Sequence, residues 1–251
     1  MFPFVLKPNV GQRGAGFRIV NNFEEVHAYL DLVDSDVIAQ PFIPGPYEAG
    51  LFYFRFPGDL EGEILAITDK HFPSVTGDGR STLEELILAG ERTSLIAETY
   101  LMRFADNRHA IVPAGTRIQL VEAGNHCQGC VFADGFHLYS ERLRTIIDRV
   151  SQSIPEFYIG RYDVRYSSVA DLRAGRFSVI ELNGAASEVT SIYDPRTSLR
   201  EAYRILYRQW ALVFSIADAN RRRGLRPPSP LSLWTAWRAY AKMSAAYPLA
   251  D

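Results

Sequence analysis

The sequence contains no run of about 18 apolar residues, the length a helical membrane span requires, so no transmembrane segment is expected. Cysteine is scarce. Two in 251 residues cannot staple a domain of this size, and a reducing, cytoplasmic compartment is the expectation. An excess of basic charge is missing as well. The formal net charge of −2 argues against nucleic acid as a partner, because such binders neutralise phosphates with a basic surface. Only three of the 27 basic residues are lysine (Lys7, Lys70 and Lys242), so each stands out against arginine. There is no internal repeat and no low-complexity tract. What is present is globular composition, 47% apolar and 22% charged, which excludes disorder and allows one large domain or two small ones.

The first unit reads as a hairpin: strand 2–7, a glycine-rich loop over 8–16, and strand 17–20. Met1–Lys7 has neither the basic start nor the small-residue cleavage site of a leader peptide, and it reads as a core strand. Domains seldom begin inside a core strand, so a missing N-terminal portion is expected. Asn22 with Glu25 three residues on predicts a capped helix over 23–33. Strand 36–40, a proline-rich connector over 41–46, and a long hairpin of 48–56 with 63–69 follow. Helices are expected from Ser81 or Thr82, each with a glutamate three residues on, to about 88, and over 92–104. Then come strand 116–122, helix 140–154, and strands 158–166 and 176–183 joined by a polar loop. Ser198 with Glu201 caps a long helix to about 223, with Leu199, Ala202, Leu206, Trp210, Val213 and Ala217 as its apolar stripe. A proline-rich stretch over 226–230 leads into a short tryptophan-containing helix. The class is α+β.

Gly11, Gly14 and Gly16, beside Gln12 and Arg13, give a loop with closely approachable backbone N–H groups, able to cover phosphates. A strand, not a helix, follows it, which disfavours a P-loop or a dinucleotide fold, since both put a helix N-terminus directly after the glycines. A loose surface hairpin is the competing reading. Lys7 ends the strand that feeds the loop. Burying it among Phe4, Val5 and Leu6 calls for a compensating anion such as a triphosphate, whereas a strand-end lysine pointing to solvent needs none.

The densest chemical signal lies between 160 and 183. Alternation puts Arg161, Asp163 and Arg165 on one face of a strand, and Glu181 and Asn183 on one face of the next. If the strands pair, two carboxylates and an amide oxygen converge between arginines. That is the donor set of a hard divalent cation, Mg²⁺ or Mn²⁺, with Asp163, Glu181 and Asn183 as ligands. Arg161 would face a transferred phosphate or a developing oxyanion. The alternative is an arginine–carboxylate ladder on a solvated sheet.

Lys7-Pro8 with its glycine loop, the connector from Gln40 to Gly45 ending near Glu48, Arg161-x-Asp163 and Glu181-x-Asn183 occur in the order used by ATP-grasp enzymes. Over about residues 2–195 the chain resembles the carboxylate–amine ligase branch, and D-alanine–D-alanine ligases within it. The stretch 77–86 resembles cyanophycin synthetases. The resemblance implies two α+β subdomains gripping ATP: a partial small one over 1–40 with the glycine lid, and a large one over 41–223 with the metal and substrate site. A linker and helix over 224–251 would follow. It implies ATP contacts at Lys7, Gly11, Gln12, Arg13, Gly14, Gly16 and Lys70, with Gln40 to Ile43 at adenine and Glu48 at ribose. Asp163, Glu181 and Asn183 match the magnesium ligands, and Arg161 the arginine that stabilises the acyl phosphate. The loop from Asn183 to Thr190 matches the substrate-carboxylate loop, which implicates Ser187 together with Arg165. The implied reaction joins a small carboxylate to an amine through an acyl phosphate, and dimers, common in these families, make a homodimer the expectation. The chain departs from the pattern at Gln40, where an acid is more usual, and at Glu48, offset by one residue. A non-catalytic ATP-binding module and a small-molecule phosphotransferase are the alternative functions.

Cys127 and Cys130 form a CxxC, but no second CxxC or histidine pair completes a zinc set. The segment 124–129 reads instead as a glycine-edged loop near the substrate, with Asn125 as the contact.

Overall fold

The computed structural model describes residues 2–11, 14–245 and 247–248. The chain forms two compact units, each built from separated stretches: 1–42, 72–130 and 228–251 in one, and 43–71 and 131–227 in the other. A linear division at residues 40 and 223 does not describe this, because 72–130 leaves the second unit after a strand and groups with the first. The α+β class expected from the sequence is the class observed.

In the first unit, β1 (Phe4–Pro8) lies between β2 (Arg18–Val20) and β3 (Val37–Pro41), antiparallel to both. Helix α1 (Phe23–Leu32) packs Tyr29 onto Leu6, Val20 and Val33. Its start is the one the sequence announces. Asn22 Oδ1 accepts from Glu25 N at 2.9 Å, and Glu25 turns back to accept from Asn21 N at 2.8 Å. The inserted stretch pairs β6 (Ser74–Thr76) with β7 (Arg117–Gln119) and carries α2 (Leu83–Ala89) and α3 (Ala97–Arg103). The helix expected over 92–104 is in fact a 3₁₀ turn (Thr93–Ile96) running into α3. Of the two caps offered for α2, Thr82 is used, in a reciprocal box with Glu85. Thr82→Ala is expected to cost about 1 kcal/mol, measured by urea unfolding, because it removes the hydroxyl that accepts from Glu85 N at 3.2 Å, while the Thr82 N–H keeps its bond to the Glu85 carboxylate.

The second unit is one antiparallel sheet in the order β10–β9–β4–β5–β8: β4 (Tyr47–Phe54), β5 (Glu63–His71), β8 (Val131–Asp134), β9 (Ile159–Tyr166) and β10 (Ser178–Asn183). Alternation, interrupted by irregularities in the β4–β5 and β9–β10 pairings, sorts its two faces. Ala49, Leu51, Tyr53, Ile67, Tyr162, Val164 and Tyr166 pack onto Leu143 and Ile147 of α4 (Glu141–Gln152) and Leu172 of α5 (Val169–Arg173). Helix α5 occupies what the sequence offered as a polar loop, capped by Ser168, which accepts from Asp171 N. The opposite face changes character along its strands. At one end Phe52 and Ile159 are covered by Ile216 of α6 (Leu199–Arg222). Further along, Glu48, Lys70, Asp163 and Arg165 are buried together.

The buried face of α6 meets the expected stripe only at Val213. Gln209 and Ile216 are buried and Ile205, Leu212 and Val213 pack beside them, while Leu199 and Trp210 are exposed. The last helix, α7 (Pro230–Ser244), belongs to the first unit and buries none of its residues.

Candidate functional site

Register assembles the site. Glu48 on β4 is opposite Lys70 on one side and Arg165 on the other; Gly50 is opposite Thr68 and Asp163; Asp163 is opposite Glu181 and Arg161 opposite Asn183. Because opposite residues share a face, four strands present their charged side chains together. Lys70 Nζ lies 2.8 Å from Glu48 Oε1 and 3.2 Å from Asp163 Oδ1. Arg161 Nε reaches Asp163 Oδ1 at 3.0 Å, and Arg165 Nε reaches Glu48 Oε2 at 3.1 Å. Arg165 also donates to Ile43 O at 2.7 Å, which ties the connector to the network.

Glu48, Lys70, Asp163 and Arg165 are each no more than 6% exposed. Ions this deep persist only when paired. Burial alone would lower the Lys70 pKa, but Asp163 and Glu48 outweigh it and hold the ammonium above its ordinary value. Burial alone would raise the Asp163 pKa, but Lys70 and Arg161 outweigh it and hold the carboxyl below the usual range. Arg161 is likewise held above its ordinary value, its burial outweighed first by Asp163 and further by Glu181.

Gly50 makes room for this arrangement. A Cβ there would stand 3.2 Å from Arg161 Cδ and 3.3 Å from Asp163 Oδ1. Sequence reading did not single it out, nor did it single out Gln209, Thr68 or Thr190. Gln209 accepts from Val189 N at 2.8 Å and donates to Ser187 O at 2.9 Å. Thr68 and Thr190 share a hydroxyl–hydroxyl bond of 2.9 Å. The 187–190 loop is thereby pinned, and its Glu188 carbonyl accepts from Arg161 Nη1 at 3.1 Å. The one signal for Gln209 was a polar residue among Ile205, Leu212 and Ile216 at helical spacing. Ser187 Oγ, on the same loop, is buried without a hydrogen-bond partner.

Several expected site residues therefore meet in one unit. Arg161, Asp163, Arg165, Glu48 and Lys70 are joined directly, and Asn183 Nδ2 sits 3.4 Å from Asp163 Oδ2. Glu181 is exposed on the edge strand, opposite Asp163. Asp163, Glu181 and Asn183 carry the oxygens that could hold a small divalent cation, while both Asp163 oxygens are engaged by Lys70, Arg161 and Asn183 Nδ2. Among the described residues no three histidine, cysteine, aspartate or glutamate side chains converge. The amide of Asn183 would thus have to complete a set of two carboxylates.

The remaining candidates belong to the other unit. Lys7 is half-buried on β1, paired in register with Ile38, and Gln40 is paired with Val5. Gly14 and Gly16 have φ of 76° and 75°, and a Cβ on Gly16 would stand 2.6 Å from the Pro8 ring, so this turn requires glycine. Gly11 is exposed beside it, while Gln12 and Arg13 lie outside the described residues. Asn125 caps a 3₁₀ turn (His126–Gln128), with Cys127 N donating to its side chain at 2.9 Å. Cys127 is exposed, Cys130 is buried, and both are free thiols. A groove of about 770 Å³ on α6, lined by Tyr203, Tyr207 and Trp210 among others, includes none of the candidate residues.

No family model and no curated protein matches the sequence. Among solved structures the chain is similar to a bifunctional glutathione synthetase from Pasteurella multocida, at 17% identity and a TM-score of 0.42, over 83% of this chain and 30% of that one. It is similar also to D-alanine–D-alanine ligase from Bacillus anthracis, at 16% identity and a TM-score of 0.45, over 89% of this chain and 57% of that one. The chain thus spans less than two thirds of the length of either enzyme.

Proposed function

We propose that this chain is the ATP-grasp part of an ATP-dependent ligase that joins a carboxylate to an amine. The observation that carries this reading is the charge balance of the polar sheet face. Three cations, Lys70, Arg161 and Arg165, are held beside two buried carboxylates, Glu48 and Asp163, with a third carboxylate, Glu181, exposed at the edge of the same face. Cations preorganised in a low-dielectric setting are placed to stabilise negative charge that develops beside them, and phosphoryl transfer depends on such positioning and neutralisation more than on acid–base groups.

In this reading Lys70 orients phosphate oxygens, and Arg161 stabilises charge on the acyl phosphate and on the tetrahedral species that follows it. Asp163, Glu181 and Asn183 would hold a Mg²⁺ or Mn²⁺ ion, which when bound neutralises phosphate charge. Lys7 and the loop with Gly11, Gly14 and Gly16 are proposed as phosphate contacts, and Gln40 and Ile43 as adenine contacts. Glu48, with both oxygens engaged by Lys70 and Arg165, would have to give up one of them to bind ribose. Ser187, with its unpartnered hydroxyl, fits a contact to the carboxylate substrate, with Arg165 as a further contact. The substrate carboxylate attacks the γ-phosphate and ADP leaves. The amine then attacks the acyl carbon, loses a proton and displaces phosphate, leaving an amide.

The test is calorimetric ATP binding by the full chain, with and without Mg²⁺. Glu181→Gln is expected to abolish the Mg²⁺-dependent gain in affinity, a loss of about tenfold or more, or ~1.4 kcal/mol. Its circular dichroism should be unchanged, because Glu181 is exposed. Wild-type binding that ignores both Mg²⁺ and this substitution would remove the metal assignment. Absence of ATP binding by the folded chain would remove the reading itself.

A further inference from the structure

The segment after α6 carries a surface that the ligase reading does not use. Helix α7 starts at a clear local signal: Ser229 Oγ accepts from Ser232 N at 3.2 Å, and Pro230 takes the first position, where its missing N–H costs nothing. At 100° per residue, Leu233, Trp234, Trp237, Tyr240 and Ala241 share one arc of the helix, while Ser232, Thr235, Arg238 and Lys242 share the opposite arc, where Leu231 is the exposed apolar exception. The apolar arc is left open: Leu233 is 55% exposed, Trp234 51% and Trp237 64%. Contiguous exposed apolar surface with a polar rim marks an interaction site.

Charge identifies the occupant. Within α7 the charged side chains are Arg238 and Lys242, and there is no carboxylate side chain. The Arg238 guanidinium stands 4.8 Å from the Trp234 ring centroid, which sets a cation at the border of the two arcs with an indole beneath it. A tryptophan- and leucine-bearing face opposite a basic one, with no acid, is the composition of a helix lying in a lipid headgroup layer. The outer face of α6 is also apolar, with Tyr203, Tyr207 and Phe214 exposed, but Glu201 and Asp218 flank it in ion pairs with Arg204 and Arg222. That face lacks the one-sign charge that complements an anionic surface.

We propose that α7 is a membrane-surface helix that seats its tryptophan face in an anionic phospholipid bilayer. Its 15 residues extend only about 22 Å, and no helix among the described residues is long and apolar enough to cross a membrane, so α7 lies on the bilayer.

The experiment is co-sedimentation of the full chain with vesicles of phosphatidylcholine alone and of phosphatidylcholine mixed with phosphatidylserine, with tryptophan emission read in parallel. The wild type is expected to partition to the phosphatidylserine vesicles, with blue-shifted emission, and to release as salt rises. Trp234→Ser with Trp237→Ser is expected to weaken partitioning about tenfold or more. Arg238→Gln with Lys242→Gln should lower it roughly tenfold toward the level on neutral vesicles. Circular dichroism checks that both variants fold. Failure of the wild type to bind, or tryptophan variants that bind as well as wild type, would overturn the proposal. So would self-association of the chain that the tryptophan pair abolishes without any lipid binding, since α7 would then be an interface between copies.

Discussion

Lys70→Met is expected to destabilise the protein by about 3 kcal/mol and to remove ATP binding. The side chain is 3% exposed, and its ammonium bridges two buried carboxylates. Methionine has a similar reach but leaves those carboxylates short of one cation in a low-dielectric setting. Breaking a buried pair in this way costs about 3–5 kcal/mol, and the lower end applies because Arg165 still holds Glu48 and Arg161 still holds Asp163. Urea unfolding measures the effect. Adding Glu48→Gln to Lys70→Met should recover part of it, because an uncharged amide replaces one stranded charge. A variant as stable as wild type would mean that the network is not buried in solution.

The pH dependence follows from the directions of the shifts. Asp163 has a depressed pKa in the folded state, so its stabilisation is complete above the unfolded carboxyl value and is lost only as pH falls through the folded one. Lys70 has a raised pKa, so its stabilisation is complete below the unfolded lysine value and is lost as pH rises through the folded one. From about pH 5 to about pH 9 the wild-type contribution of the pair should therefore be flat. The deficit of Lys70→Met should shrink toward about pH 4, as protonation relieves the Asp163 carboxylate that has lost one of its two cations.

Gly160→Ala is expected to be the most damaging single methyl addition near the site. A Cβ at 160 would overlap the backbone oxygen of Asn183 and stand 2.8 Å from the Phe157 ring. Backbone on one side and a packed ring on the other leave no flexible atom to give way. Overpacking of this kind costs about 1–3 kcal/mol. The larger consequence is positional: the end of β10 must shift, taking Asn183 away from Asp163 and Arg161. Mg²⁺-dependent ATP binding should be lost in this variant even at temperatures where it remains folded. Gly184→Ala is the control, since nothing lies within 4 Å of a Cβ there, and its stability should stay within about 0.5 kcal/mol of wild type. Equal binding by the two variants would show that the position of β10 is irrelevant to the nucleotide.

What could be read from the sequence was what short stretches of chain decide among themselves. The Asn22 and Ser198 caps, and Thr82 as one of two offered, lie within three residues of the N–H groups they satisfy and were legible, whereas Ser140 was read as helix and not as its cap. The β1–β2 and β4–β5 hairpins were legible because a turn fixes the pairing of its own flanks. Alternation likewise put Arg161, Asp163 and Arg165 on one face, and Glu181 and Asn183 on one face, before any contact was known.

Other features depended on segments far apart in the chain. Asp163 meets Lys70 only because β9 and β5 both pair with β4, a register that no local signal encodes. Glu48, for which the resemblance implies a ribose contact, spends both oxygens on ion pairs whose partners lie 22 and 117 residues away, which no local signal encodes. The division into two units follows from where 72–130 packs, which a linear reading of composition does not reveal. Helix α6 shows the limit most directly. Its sequence offers apolar residues on more than one side, so amphipathicity alone left the choice open. The sheet decided it: the polar face, apolar at the Phe52 and Ile159 end, took Ile216 and the residues in line with it, and drew Gln209 in to satisfy the backbone of the 187–190 loop.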